Sequence, residues 1–490
     1  MRREIKSHQD IHDYIVTIEA DFPVDTWSVA GVHVWPHLRI KIYYALIQLV
    51  EGTSTIKSDK IQPNKISLFN RCKTKFIELL YYFKAIQGHS SLPVMFSTPS
   101  LYRVQYKGLL FHKFFDAMVK AHHLEAKITI IEMQGAKPGC YNPANIIDGI
   151  SLRNGHRVVD RLIGRLSTGK NLSNEFNLPL YDSFLEHLRM NSLIKISLDL
   201  EQKRIIKWGE KVKSTSILYK KLFKNRCTRR FISISYYGYD DMAAALFAAN
   251  ALGLETVDFQ HGPQTNVHMA YSSWTKIPEG GFNTMPKVYW NWDQKSSDHI
   301  RTWWKQKSGS RVTGHPWLAM TQNENQPIEY CDFLYTLQLI SNSKLNYFFP
   351  EQILKLMGHS NYSWILRIHP RDATGVGLIR NFLEKNEVPS DCYSIEHPLK
   401  RPLITSLNAC KIHITNYSGC AIEARILKKK TLVIDKTGYL FYKNYIDDEF
   451  IFYLDKHNDD FADRVIEIYS SRNTIKKNLR LGIFNPFTGL

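Results

Sequence analysis

Apolar positions along the chain fall into two alternating rhythms. A short apolar run closed by small polar residues is followed by a longer stretch with apolar positions three and four apart, and then by another short run; that alternation marks strand–helix–strand units. LPVMFSTPS (Leu92–Ser100) predicts a strand, LLFHKFFDAMVKAHHL a helix and AKITIIEM a second strand. After a helical middle the rhythm returns in RFISISYYGYDDMAAALFAANALGLETVDFQHG. There a strand over 231–236 leads into an Ala-rich helix closed by Gly253, and then into a strand over 255–260. KVYWNWD, SSDHIRTWWKQK and SRVTGHPWL continue it as strand, helix and strand. A second series follows: CDFLYTLQ, a helix near 348–357, SWILRIHP, a helix near 376–384, ACKIHITNYSG, the helix CAIEARILK, and KTLVIDK. FADRVIEIYSSRN is a closing helix.

Strands joined by helices imply parallel sheets, so the fold class is α/β with two Rossmann-like parallel-sheet domains. The first 90 residues carry helical patterning in HLRIKIYYALIQLVEG and NRCKTKFIELLYYFKAIQG without strand order. They read as an N-terminal helical elaboration. The polar, Pro-containing TQNENQPIEY (Thr321–Tyr330) reads as the linker. The expected domains are therefore 1–90, 91–325 and 326–490, the last two facing each other across a cleft. Ligands of parallel sheets bind beyond the carboxyl ends of the strands, and that rule decides which residues are candidates.

Composition narrows the partners. The net charge of +18 calls for an anionic partner, but its basic clusters, KKLFKNRCTRR and RILKKK, come with no nucleic-acid motif. A phosphorylated substrate or an anionic membrane leaflet fits better. Seven cysteines without a C-x-x-C pair argue for a reducing compartment and against a disulfide framework or a structural zinc site. No run of apolar residues is long enough to span a bilayer. The expected location is cytoplasmic, peripheral on the inner face of the cytoplasmic membrane.

Four elements carry candidate chemistry. VDFQHGPQTN delivers His261 to a strand end, where an imidazole can take a proton from a hydroxyl, and Gly262 beside it lets a substrate approach the backbone. A histidine bonded to its own loop is the structural alternative. LRIHPRD places Arg367 and His369 before the strand-stopping Pro370, as donors for a phosphate or ribose. His-Pro occurs at His315, His369 and His397 where composition predicts about 0.7; Gly314-His315 ends a strand in the same way. HITNYSGCAIEA ends a strand at Thr415, and Ser418-Gly419 opens a helix whose free N–H groups suit a pyrophosphate, with Glu423 a turn inside for ribose hydroxyls. An N-cap serine and a first-turn glutamate are the plain reading of those residues. Asp240-Asp241 follow a strand as bases or, more simply, helix caps. The chain contains no D-x-D triplet and no G-x-x-x-x-G-K-[ST] loop, so no metal and no ATPase chemistry is expected.

Strand-QHG, strand-HP and strand-TNYSGCAIEA, in that order and followed by KTLVID, resemble the GT-B glycosyltransferase-like proteins of bacterial capsule, O-antigen and lipopolysaccharide synthesis. RIHP and ITNYSG are similar to motifs of sialyl- and Kdo-transferases, and the HG and HP histidines to those of CDP-glycerol glycerophosphotransferases. The resemblance covers roughly residues 231–453. It implies a GT-B-like fold, His261 on the acceptor or catalytic side, and His369, Ser418, Gly419 and Glu423 around a donor nucleotide; the residues' own pattern adds Gly262, Gly314 and His315 on the cleft or acceptor side and Arg367, Pro370 and Thr415 on the donor side. Two departures stand out: the family's serine pair is Ser418-Gly419 here, and YDDM does not match the acidic motif of certain sialyltransferases.

The expected function is a metal-independent, inverting transfer of a sugar from a CMP-linked, sialic-acid-like or Kdo-like donor to a glycan or lipid-linked glycan hydroxyl. His261 is the expected base, with Asp240 and Asp241 as alternatives. Other readings are a CDP-polyol phosphotransferase, a nucleotide-sugar epimerase on the same fold, and a non-catalytic partner in polysaccharide assembly.

Overall fold

A computed structural model describes residues 4–51, 68–87, 91–135, 137–166, 175–191, 193–306, 308–322, 330–339, 344–358, 361–370, 372, 375–398, 401–446, 449–471 and 486–487. They form two compact units: Met1–Thr313 with Phe484–Leu490, and Gly314–Ile483. The division falls between Thr313 and Gly314. Of the linker read at Thr321–Tyr330, residues 323–329 lie outside the described residues.

The first unit is built on a seven-stranded sheet. In spatial order its strands are Ser310–Val312, Val288–Asn291, Glu255–Phe259, Arg230–Ser233, Val94–Thr98, Ile128–Glu132 and Ile146–Asp148. Every pairing is parallel. Along the chain the order runs outwards in both directions from one adjacent pair, Val94–Thr98 and Arg230–Ser233. Such strands are buried on both faces, and VMFST, ITIIE and RFIS are buried at every position. The Ala-rich helix Asp240–Ala251 lies against the helix Gln202–Asn225, its small side chains allowing close approach. Gly253 ends it in the left-handed region, at φ +71°.

The helices His8–Asp21 and Trp35–Glu51 do not form a core of their own. Ile11, Ile15, Trp35 and Leu38 share one buried cluster with Met95, Ile131 and Phe231 of the sheet. One expectation is corrected here. LLFHKFFDAMVKAHHL is not a single helix: Leu109–His112 is a strand paired antiparallel with Arg103–Tyr106, and the helix is only Phe115–Ala121. Lys107 and Gly108, at φ +49° and +80°, make the tight turn between the strands, and positive φ at both central residues is the hairpin geometry that matches strand twist.

The second unit repeats the plan with six parallel strands. Their spatial order is Tyr393–Glu396, Trp364–Arg367, Cys331–Thr336, Cys410–Thr415, Lys430–Val433 and Ile451–Tyr453. This is third, second, first, fourth, fifth, sixth along the chain, the doubly wound order of dinucleotide-binding sheets. Alternate positions feed opposite faces: Phe333 and Tyr335 join one buried cluster, Leu334 the other. Both sheets are thus Rossmann-like, as expected, and each has one point where strand order reverses.

Candidate active sites at the two strand-order reversals

In the first unit the reversal lies between the ends of Val94–Thr98 and Arg230–Ser233. Two residues past the second of these strands stands Ser235, at φ +57°. A non-glycine residue there is strained and is held by its surroundings: the Gly238 N–H donates to the Ser235 carbonyl at 2.7 Å. The Ser235 hydroxyl lies 2.9 Å from His261 Nε2, which follows the neighbouring strand Glu255–Phe259. Tyr102 hydrogen-bonds to the same serine, and its ring meets the His261 ring edge-on at 5.7 Å. Nδ1 of His261 is buried and makes no hydrogen bond. Burial, with His268 and Lys113 near, pushes the His261 pKa down to about 3, so the ring is neutral. A neutral ring keeps one nitrogen lone pair, and at this pKa it is a weak base. A Cβ added to Gly262 would meet nothing, so the backbone beside the histidine borders open space.

Beneath this pair lies Asp258, on the strand itself and fully buried. Its carboxyl accepts from Tyr271 Oη at 2.7 Å, the Tyr236 N–H at 3.1 Å and Ser233 Oγ at 3.3 Å. Burial raises its pKa to about 7 against the pull of those donors. Tyr271 belongs to the loop that follows His261, and the N-terminal helices hold that loop. Buried Arg39 pairs with Glu19 at 2.7 Å and donates to the Ser272 and Ser273 carbonyls at 3.0 and 2.9 Å. Glu19 in turn accepts from Thr275 N and Oγ1 at 2.8 and 2.7 Å. The N-terminal helices thus brace the His261 loop.

Asp240 and Asp241 open the helix Asp240–Ala251 without capping it; the N-cap is Tyr239, which makes no side-chain cap bond. Asp240 accepts from Lys211 Nζ at 2.6 Å and Trp208 Nε1 at 2.9 Å. Burial acts to raise its pKa, but these bonds outweigh it and the pKa is lowered. Asp241 is paired with Arg153. The structure groups neither with His261: Asp240 is held by Lys211 and Trp208, and Asp241 by Arg153.

The second unit's reversal lies between Cys331–Thr336 and Cys410–Thr415. Thr415 Oγ1 donates to the Thr336 carbonyl at 3.2 Å and accepts from the Ser418 N–H at 3.0 Å. With its amide oriented to satisfy both ends, Gln338 also accepts from the Tyr417 and Ser418 N–H groups, at 3.3 and 2.9 Å. Gly419, not Ser418, is the N-cap of Cys420–Ile426, and the N–H groups expected to be free for a pyrophosphate are bonded within the chain: Cys420 N–H donates to Ser418 Oγ at 3.4 Å, and those of Ala421 and Ile422 to the Ser418 and Gly419 carbonyls at 3.1 Å. Asn416 is buried, donates to Tyr335 Oη at 2.8 Å and accepts from Lys456 Nζ at 2.6 Å. Lys456, with a fully buried side chain, lies 3.3 Å from Asp435 and 3.6 Å above the Tyr347 ring. Gly438 closes the group: a Cβ there would fall 1.9 Å from the Asn416 carbonyl oxygen, so only glycine lets the two segments pass.

Glu423 meets His315, Oε1 to Nε2, at 3.4 Å. The structure thus joins two residues that the sequence assigns to different substrates. His315 also caps the helix Pro316–Thr321, Nδ1 accepting from Leu318 N at 3.3 Å, and Gly314 before it sits at φ +80°. Arg367 does not point to a ligand. It pairs with Glu396, its register partner on the next strand, and also donates to Ser406 Oγ at 3.2 Å and the Arg401 carbonyl at 3.0 Å. His369 is half-buried beyond the same strand, where its carbonyl accepts from Asp372 N at 2.9 Å across the exposed Pro370. Among the described residues no group of three or more His, Cys, Asp or Glu side chains is placed to hold a metal ion. Ser235, Tyr102, Asp258, Gln338 and Lys456 are the additions that sequence reasoning did not supply.

No protein-family model matches the chain, and no curated protein matches it. Solved structures do show a distant likeness. UDP-GlcNAc 2-epimerase from Methanocaldococcus jannaschii is similar at 12% identity and TM-score 0.45, covering 80% of this chain and 95% of its own. A glycosyltransferase from Rickettsia africae is similar at 11% identity and TM-score 0.41, covering 77% and 87%. MurG from Acinetobacter baumannii is similar at 9% identity and TM-score 0.37, covering 76% and 89%.

Proposed function

We propose that this chain is a glycosyltransferase of GT-B type, moving a sugar from a CMP-linked donor to a hydroxyl of a free or lipid-linked glycan in bacterial surface polysaccharide synthesis, without a metal ion. One observation carries the reading: each of two Rossmann-like sheets has a candidate motif beside its strand-order reversal, NYSG directly after a reversal strand in the second and, in the first, QHG at the end of the adjoining strand with its His261 2.9 Å from Ser235 just past a reversal strand. That is where such sheets bind ligands. The second unit holds the nucleotide near Ser418-Gly419, with Glu423 and His369 as contacts. The first unit takes the acceptor. His261 removes the proton of the attacking hydroxyl, the new bond forms at the anomeric carbon, and the nucleotide leaves with the bonding pair, inverting the centre. A neutral imidazole with so low a pKa gains proton affinity when an anionic substrate binds near it, so basicity rises with occupancy.

Calorimetric titration of the protein and of His261→Ala with CMP, CDP, UDP and GDP, with and without magnesium, tests this together with turnover. CMP binding that needs no metal and survives in His261→Ala is expected, with turnover lower by about 10²–10⁴-fold. Preference for CDP with phosphorus entering the product moves the assignment to polyol phosphate transfer. Full turnover by His261→Ala removes the base. Binding of no nucleotide by a folded sample leaves the non-catalytic reading in front.

A further inference from the structure

The helix Leu68–Gln87 has two unlike faces. One packs on the helix Gly149–Leu166: Asn154 Nδ2 bonds Glu78 Oε1 at 2.7 Å, Tyr82 stacks on His156 with ring centroids 5.9 Å apart, and a Cβ on Gly155 would lie 2.3 Å from the Glu78 carbonyl oxygen. Residues 78, 82 and 85 lie on that side by helical spacing. The opposite side carries Phe76, Ile77, Leu80 and Phe83, exposed by 60, 55, 53 and 43%. Spaced i, i+1, i+4 and i+7, they make one continuous stripe. Single exposed apolar residues are ordinary, but four in a row on one helix face are not.

Charge identifies the occupant. Lys73 and Lys84 are exposed and flank the stripe on the same helix. The helix Gln202–Asn225 joins its carboxyl end, where Asn225 donates to the Ile86 carbonyl at 2.7 Å and Arg226 to the Ala85 carbonyl at 3.2 Å. That neighbour brings exposed Lys221 and Lys224. Apolar side chains rimmed by cations, on a chain of net charge +18, match the interface of a bilayer with anionic headgroups, where a helix lies in the plane with its apolar face among the acyl chains. Among the described residues no helix is long and apolar enough to cross a membrane, so the contact is a surface one. We propose that Phe76, Ile77, Leu80 and Phe83, with the lysines around them, dock this protein on an anionic membrane surface. The inference does not depend on the transfer chemistry proposed above.

Sedimentation with vesicles of equal parts phosphatidylglycerol and phosphatidylcholine, or of phosphatidylcholine alone, tests it. The full chain is expected to bind only the anionic vesicles, and less as salt rises. Phe76→Glu with Leu80→Glu should lower binding by about tenfold or more, and Lys73→Glu with Lys84→Glu by about fivefold for each residue reversed. All substitutions are at exposed positions, and an unchanged melting temperature shows the variants folded; nucleotide titration reports separately on the donor site. Undiminished vesicle binding by the folded double glutamate variant overturns the proposal. So does a parent protein that is dimeric by light scattering and becomes monomeric on Phe76→Glu with Leu80→Glu, because the stripe is then covered by a second copy.

Discussion

The two reversal points share a topology and differ in what they do with their polar atoms. In the second unit the groups satisfy one another: Thr415 and Gln338 take the Ser418 N–H, Asn416 bridges Tyr335 and Lys456, and Lys456 faces Asp435. In the first unit a serine in a strained conformation orients a histidine whose other nitrogen is buried and unpartnered. A fully bonded network shapes a backbone cradle, whereas strain and an unmet bond mark a group kept ready for chemistry. On the proposed function the second sheet holds and the first reacts.

Removing the centre of the holding network should have the largest effect. Lys456→Met leaves Asp435 without its buried cation and Asn416 without a donor, and should cost about 3–5 kcal/mol of stability in urea unfolding. A loss near zero would mean that the second cradle does not rest on this lysine. The reacting side should respond in turnover instead. Ser235→Ala removes the bond to Nε2 but leaves the ring buried; about tenfold lower turnover is expected, with nucleotide affinity unmoved. Equal loss of affinity and turnover would blur the contrast between the sheets.

The smallest effect is a difference in acid sensitivity. Burial lowers the pKa of His261 to about 3 and of His268 to about 4, both in the first unit, and of His413 to about 3 in the second. A histidine depressed below its unfolded value of 6.5 gives stability that is present above that pH and lost as pH falls from 6.5 towards 3. Asp258, raised to about 7, acts oppositely: its folded form binds the proton more tightly, so its contribution falls as pH rises from about 4 to 7. His261→Gln should flatten the decline of the urea midpoint between pH 6.5 and 5, and Asp258→Asn should steepen it. An unchanged slope in both variants would mean these groups titrate alike folded and unfolded.

The strands were legible because they are short runs of buried apolar residues bounded by Gly, Pro or small polar residues, as in VMFST before Pro99 and VDF before His261-Gly262. The Arg103–His112 hairpin was not, because its apolar Leu109, Leu110 and Phe111 run on into helix-forming residues and only Lys107-Gly108 marks the turn. His261 could be found from its place at a strand end. Its partners could not: nothing in the letters shows Ser235 at positive φ, or Tyr102 returning to it from the turn after Val94–Thr98. Arg367 misled for a related reason. An arginine at the end of a strand looks available, but in a parallel sheet its register neighbour is Glu396, and the pair consumes both.

The order in which the chain is made gives the first unit a peculiarity. Glu19 and Arg39 leave the ribosome long before Ser272 and Thr275, the groups that complete their bonds. Arg230 waits longer still, for the carbonyl of Pro486, and Trp290 for the ring of Phe487. The second unit lies wholly within that interval. Domains generally fold as they emerge: the seven strands of the first sheet and the Glu19–Arg39 bonds are complete by Val312, before the second unit is made, and the contacts of Arg230 and Trp290 wait for residues 486–487. A nascent chain halted before residue 486 would carry the strands of both sheets without the Pro486 and Phe487 contacts of the first.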